Sequence, residues 1–203
     1  MKKRLTVLNQ LPLFISEKRI QHTLRVEDVA NELSLKFNAK KEVVSLAALL
    51  HDIAKNQTPS TISEFGIDVS SNMKQLWDEY PSVWHAFIGP LLIGQVINLN
   101  NTDINNAVKY HTTGHDHLSL EAKIIYVSDF IEPNRTHVCR ELVAEFAFSN
   151  LNKAVAAVAL CSIDKLTKKG VCIHPDTQKC WNAYARYLTS LEKKILEGYL
   201  NEN

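Results

Sequence analysis

The stretch Val43-Val44-Ser45-Leu46-Ala47-Ala48-Leu49-Leu50-His51-Asp52-Ile53-Ala54-Lys55 decides how this chain folds. Its apolar residues recur at helical spacing and form a face broad enough for a helix buried on most sides. At the end of that helix stand His51 and Asp52. A polar group left unsatisfied in such a place costs about 1–3 kcal/mol, so something must bind the pair.

Working outward, the neighbouring segments carry the same period. Ile20, Leu24, Val29, Leu33 and Phe37 lie on one stripe before it. Thr58-Pro59-Ser60 ends the central element, because proline disfavours helix in the residue before it. Residues 61–81 have little periodicity and read as a loop with short helical pieces. A helix is predicted over about 82–99, then a turn at 98–101 and a short helix leading to Tyr110-His111. After the polar stretch Thr112 to His117, a helix from Ser119 stops near Pro133. Three more helices are expected around 136–149, 151–168 and 175–197, with Gly170 as a stop and Pro175 as a first-turn residue. The last should pack through Trp181, Tyr184, Leu188, Leu191 and Ile195.

The expected fold is all-α, a single helical domain over residues 1–203. With 6 Gly and 6 Pro, the chain lacks the turn residues of a β-sandwich. A hydrophobic share of 45% excludes disorder. Lys+Arg 23 against Asp+Glu 22 leaves +1, so no global field draws the protein to nucleic acid or an anionic membrane. Met1-Lys2-Lys3-Arg4 imitates the start of a signal peptide, but Asn9, Gln10 and Pro12 interrupt the apolar run a leader would need, and no cleavage site appears. No run approaches the roughly 20 apolar residues of a membrane span. The 4 Cys lack Cys-x-x-Cys spacing and receive no role beyond reduced thiols, which makes the expected compartment cytoplasmic.

Six side chains stand out as metal ligands: His22, His51, Asp52, His85, His111 and Asp129. Taken singly, each is also readable as a satisfied polar residue. The settings of His51-Asp52, His85, His111 and Asp129 argue otherwise, since each lies at or within an apolar helix. Imidazole and carboxylate delivered from several buried helices point to one polar centre that a cation would satisfy.

In that order on successive helices, His22, His51-Asp52 and Asp129 resemble the signature of the HD-domain metal-dependent phosphohydrolases. Within that superfamily, several words resemble the bacterial YqeK-like family. They are Arg19-x-x-His22, Leu49-Leu50-His51-Asp52-Ile53-Ala54-Lys55, Trp84-His85-Ala86, Tyr110-His111-Thr112-Thr113-Gly114 and Asp129-Phe130-Ile131-Glu132-Pro133-Asn134-Arg135. Ser128 and Phe130 depart from the family's commoner Ala and Tyr, and His115 and His117 enrich the loop; no ligand is removed. The resemblance implies an HD-domain helical bundle, with a metal-dependent core at 17–135 and C-terminal helices at 136–203 packed on it. Those helices either cap the core or offer a homodimer surface. It also implies symmetrical hydrolysis of diadenosine tetraphosphate to two ADP at a di-iron centre.

Residue types alone do not select iron, because manganese, cobalt, nickel and zinc accept the same donors. The reading places one divalent or mixed-valence ion on His22, His51, Asp52 and Asp129. A second takes the other oxygen of Asp52 with His85 and His111, since a carboxylate bridges and an imidazole does not. Metal-activated water then attacks an inner phosphorus, with Asp52 and Lys55 as the catalytic pair. Lys55, Arg19, Thr112, Thr113, Gly114, His115 and Arg135 are the expected substrate contacts. Each has a plainer alternative: a solvated lysine, an exposed helix arginine, an Arg135–Glu132 pair, mobile loop histidines. Trp77, Tyr80 and Trp84 either stack on adenine or anchor packing, and His137 and His174 read as surface residues. Two other functions stay open: an HD-type phosphohydrolase of different specificity, and a non-catalytic module that binds metal and nucleotide.

Overall fold

A computed structural model describes residues 2–201. Twelve α-helices occupy them, and no strand occurs among the described residues. The first is α1 (Lys2–Gln10), which the charged N-terminus concealed: Val7 in it and Leu11 just after it are buried against the core. Then come α2 (Glu17–Lys36) and α3 (Lys41–Leu50). In α3 every residue from Val44 to Leu50 is buried, as its apolar pattern requires. Glu27 on α2 is buried too. Arg4 grips it through both carboxylate oxygens at 2.7 Å and Ser45 donates to it at 2.5 Å, tying α1, α2 and α3 together.

Two short helices come next, α4 (Pro59–Ser63) and α5 (Ser71–Glu79), in the stretch expected to be mostly loop. Both start at side-chain caps, Thr58 and Ser70. The helix α6 (Trp84–Leu92) is shorter than predicted, because Pro90 has no N–H and crowds the preceding turn. The chain widens into a π-turn at Ile93–Ile97 and stops at Asn98, whose φ of 52° is left-handed. Asn101 caps α7 (Thr102–Tyr110), and Ser119 caps α8 (Leu120–Ile131).

The C-terminal part comprises α9 (Arg140–Ser149), α10 (Leu151–Lys168), α11 (Pro175–Tyr184) and α12 (Ser190–Asn201). The expected single helix over 175–197 is two. A 3-10 turn at Ala185–Tyr187 ends α11, Leu188 is extended, and Thr189 with Glu192 forms a capping box that starts α12. This break rotates the apolar face. Tyr184 and Leu188 are buried as expected, but Leu191 and Ile195 point outward while Leu196 and Leu200 take the inner positions.

The site is assembled where α2, α3, α6, α7 and α8 meet. The α2 helix packs along α3 and crosses α8, α3 also touches α7, and α7 lies between α6 and α8. The α10 helix lies against α8 and is flanked by α9, α11 and α12. One continuous cluster of buried apolar side chains runs through all of these from Val7 to Leu200.

Gly89 sets how closely α6 approaches α7, since a Cβ there would stand 2.8 Å from Val108 Cγ1. Gly89→Ala should therefore cost about 1–3 kcal/mol by overpacking. Adding Val108→Ala should recover part of that loss, as measured by the denaturation midpoint. Simple additivity of the two changes would show that the contact is not what limits the approach.

Candidate metal centre

Each of the five central helices brings a ligand-type side chain to one point. His22 comes from the first half of α2, His85 from the first turn of α6, and Asp129 from the last turn of α8. His51 and His111 sit immediately after α3 and α7, at the C-caps. Asp52 comes after His51 in the turn. All four imidazoles and Asp52 are buried, and Asp129 is partly exposed.

Asp52 divides the cluster. Its Oδ2 faces His22 Nε2 at 3.8 Å and His51 Nε2 at 3.6 Å, while its Oδ1 faces His85 Nε2 at 3.1 Å and His111 Nε2 at 3.5 Å. On the first side, Asp129 Oδ1 lies 3.0 Å from His22 Nε2 and 3.8 Å from His51 Nε2. On the second, the Nε2 atoms of His85 and His111 are 3.2 Å apart. The six side chains expected to meet do meet.

The hydrogen bonds behind the rings fix their tautomers. A carbonyl oxygen only accepts, so His51 Nδ1 donates to Ala48 O at 2.6 Å and His111 Nδ1 to Val108 O at 2.7 Å. His22 Nδ1 donates to the Glu132 carboxylate at 3.1 Å. The Nε2 lone pairs of these three rings are thereby turned inward, the orientation in which outer partners hold metal-binding histidines. The Nε2 atoms of His22 and His51 lie only 3.3 Å apart, and two lone pairs at that distance repel unless a proton or cation lies between them. Asp52 Oδ1 is buried and accepts no hydrogen bond of good geometry from the nitrogens around it. An N/O donor set with an orphaned carboxylate oxygen and converging lone pairs fits a divalent metal. Among the described residues, two sets of ligand atoms lie close enough to hold an ion: His22, His51 and Asp129, and His51, Asp52 and His111.

Electrostatics agree. Burial pushes His51 down to about 3 and His85 to about 4, so both rings are neutral at pH 7 with lone pairs available. Burial alone would raise Asp52 and Asp129. Both carboxyls nonetheless stay well below their usual range, with the charges of Lys55 beside Asp52 and Arg135 beside Asp129 acting against burial.

A ring of cations surrounds the acids. Arg19 donates to Asp52 Oδ2 at 2.8 Å, and Arg135 bonds both the Asp129 carboxylate and its carbonyl. Lys55 Nζ lies 3.1 Å from His85 Nε2 and 3.7 Å from Asp52 Oδ1. The other expected substrate contacts are spread more widely. Thr112 Oγ1 is buried without a hydrogen-bond partner, beside Asp129 and Arg135 in a hollow of about 160 Å³. Thr113 is fully buried and donates to the Gly114 carbonyl. Gly114, at φ 65°, leaves no room for a Cβ, which would stand 2.5 Å from Cys180 Sγ. His115 pairs with Asp116 at 2.8 Å and packs on Tyr110; no hydrogen bond or ion pair joins it to the six among the described residues.

One expectation needs correcting and one residue was missed. His174 is not a surface residue: its side chain is 12% exposed, lies between the rings of Tyr80 and Phe87, and caps α11. His137 is partly exposed, as a surface residue would be, but is held by stacking on Phe130 at 4.5 Å. Trp84 is a packing anchor, buried and bonded to the Gln57 carbonyl at 3.1 Å. The missed residue is Glu132. Buried after α8, it receives His22, Arg25 at 2.7 Å and the Asn134 amide at 2.9 Å. The signal was present in the Glu-Pro-Asn-Arg word, where an acid falls three residues after Asp129.

A comparison with known families matches the HD domain over residues 19–134. The chain therefore belongs to the HD-domain family, in its YqeK-like branch. It is 33% identical over 168 residues to the symmetrical bis(5'-nucleosyl)-tetraphosphatase of Bacillus subtilis, covering 83% of this chain and 90% of that one. The protein of the same name from Halalkalibacterium halodurans is 32% identical over 170 residues, covering 83% and 89%. Among solved structures, an HD superfamily hydrolase from Clostridium acetobutylicum, described as involved in NAD metabolism, superposes with a TM-score of 0.79. It is 30% identical, and the match covers 90% of this chain and 96% of that one.

The geometry yields two expectations. Glu132→Ala should weaken metal affinity about 10–100-fold by freeing the His22 ring, read by competition with a fluorescent chelator. In metal-stripped protein, acidification should destabilise the fold. The unfolded histidines take up protons below about 6.5 while His51 and His85 resist until about 3 and 4. The depressed carboxyls act in the same direction at lower pH, because their contribution is lost as pH falls through their folded values. The melting temperature should fall by about 5–10 °C from pH 7.5 to pH 5. An unchanged value would contradict the buried neutral rings.

Proposed function

We propose that this chain hydrolyses diadenosine tetraphosphate symmetrically, at a centre holding two divalent or mixed-valence metal ions. The observation that carries the reading is the Asp52 carboxylate, with one oxygen turned to His22 and His51 and the other to His85 and His111. His22, His51, Asp52 and Asp129 would hold one ion, and Asp52, His85 and His111 the other. The activity itself is supported by the relatives' shared name and by the extent of the match. Iron accords with the family resemblance. Free cysteines and the absence of any helix long and apolar enough to cross a membrane, among the described residues, fit a cytoplasmic setting. Residues 17–135 supply the ligands, and 136–203 form the accompanying C-terminal part.

When bound, such ions lower the pKa of water toward about 7 and offset charge on phosphoryl oxygens. The rest falls to the chain. The oxygen of one water adds to an inner phosphorus, the bond between that phosphorus and the central bridging oxygen breaks, and the bridging oxygen leaves with the second ADP. Lys55, whose ammonium lies against the His85 lone pair, would turn to a phosphate oxygen if His85 held an ion. From there it would stabilise the leaving oxygen. Arg19 and Arg135 keep Asp52 and Asp129 ionised and aimed inward, and their planar forks hold additional donors for the polyphosphate. Both line a cleft of about 490 Å³ that opens on His22.

Incubating metal-loaded protein with diadenosine tetraphosphate and resolving the nucleotides by ion exchange should give ADP alone. ATP with AMP would refute the cleavage site, and no turnover with iron or manganese would remove the activity. Asp52→Ala should lose both ions by elemental analysis and lower kcat by at least about a thousandfold. Retention of nucleotide binding in a wild-type protein that never turns over would favour the binding module instead.

A further inference from the structure

Beside the metal centre two hollows share part of their lining. The inner one, about 160 Å³, is bordered by His111, Thr112, Asp129, Arg135 and Lys165. The outer one, about 270 Å³, has apolar walls from Phe130, Val138, Cys139, Cys161 and Leu200. Phe130, His137, Cys161 and Lys165 border both, so they form one trough leading from the ligands to an apolar end. The Phe130 and His137 rings stack on one another at 13°, and both border the trough. Burial pushes His137 down to about 4, so that pair is uncharged at neutral pH.

The trough is positively charged at its middle and rim. Lys168 is neutralised by Asp164 at 3.4 Å and by the Leu200 carbonyl. Lys165 and Lys169 make no ion pair among the described residues. Burial, Lys169 and Arg135 lower the proton affinity of Lys165, and Asp129 offsets them only in part. Lysines near the C-terminus of α10 also complement the helix dipole, which accounts for their presence but not for the apolar hollow beside them. Thr112 Oγ1 adds a buried hydroxyl with no partner.

We propose that this trough seats one ADP half of the substrate. The base lies in the apolar end against the Phe130–His137 pair, and Lys165, Arg135 and Thr112 hold the phosphates between base and metal centre. A second cleft, lined by Ser16, Lys18, Arg19 and Arg25 and sharing Arg135 with the trough, offers charge without an apolar side chain. A symmetric substrate is thus read asymmetrically: one nucleoside by shape, the other half through its phosphates. Specificity for the base then resides in Phe130 at the end of α8, the 136–139 segment after it, α10 and α12. This inference rests on the dinucleoside polyphosphate reading above.

Steady-state kinetics of the metal-loaded full chain with diadenosine tetraphosphate tests it. Lys165→Ala and Val138→Trp, the latter filling the hollow from its exposed rim, should each raise KM about tenfold with kcat within about twofold. Lys165→Arg should restore KM, and the inhibition constant of ADP should rise in step with KM. An unchanged KM in both variants, or a fall in kcat at constant KM, overturns the pocket. Should Val138→Trp not fold, the solvent-facing Lys165 series decides alone. If wild-type protein does not cleave the substrate, the hydrolase reading has failed; if it does and KM ignores these changes, only the pocket has.

Discussion

Repulsion among converging lone pairs and carboxylates is the constraint on which this structure depends. His22, His51 and His111 have their Nδ1 hydrogens committed outward, to Glu132 and to backbone carbonyls, and their acceptor nitrogens face one another and Asp52. Such a centre is unfavourable unless positive charge enters it. Lys55, Arg19 and Arg135 supply part of that charge around the edge. A multivalent cation would supply the remainder in the middle. The helices are subordinate to this requirement: α3 and α7 end where His51 and His111 must begin, and Gly89 lets α6 come close enough to α7 for His85 to join them.

The cations serve two directions at once. Toward the interior, Arg19 and Arg135 keep Asp52 and Asp129 ionised, and Arg25 does the same for Glu132. Toward solvent, the same guanidinium groups line two clefts beside the centre. A chain with almost no net charge thereby gathers Arg19, Arg25, Lys55 and Arg135 around one buried acidic cluster. That localisation is invisible to a charge count and emerges only from the packing.

Much of this was readable beforehand, for definite reasons. The run from Val43 to Lys55 determined α3 and the placement of His51-Asp52, because a helix buried all round leaves its polar residues no indifferent role. That His85, His111 and Asp129 would join them was legible for the same reason, each standing at or within an apolar helix, while His22 was found through the family signature. The failures share a cause as well: local signals that compete with periodicity. Pro90 cut short a helix whose hydrophobic stripe continued. Thr189 and Glu192 began a new helix inside what looked like an old one, which turned Leu191 and Ile195 outward. Glu132, His137 and His174 gave no periodic signal, since their roles depend on partners distant in the chain: His22, and the rings of Phe130, Tyr80 and Phe87.

The way the rings are held bears on how such a protein can drift over generations. His51 and His111 are oriented by main-chain carbonyls of the turn before them, and any amino acid at positions 48 and 108 that keeps the helix supplies the same oxygen. Those two rings are therefore insulated from substitutions around them. His22 leans instead on a carboxylate more than a hundred positions away, which must itself be kept in register by Arg25 and the Asn134 amide. In a lineage losing the activity, that tether is where decay would first leave its mark.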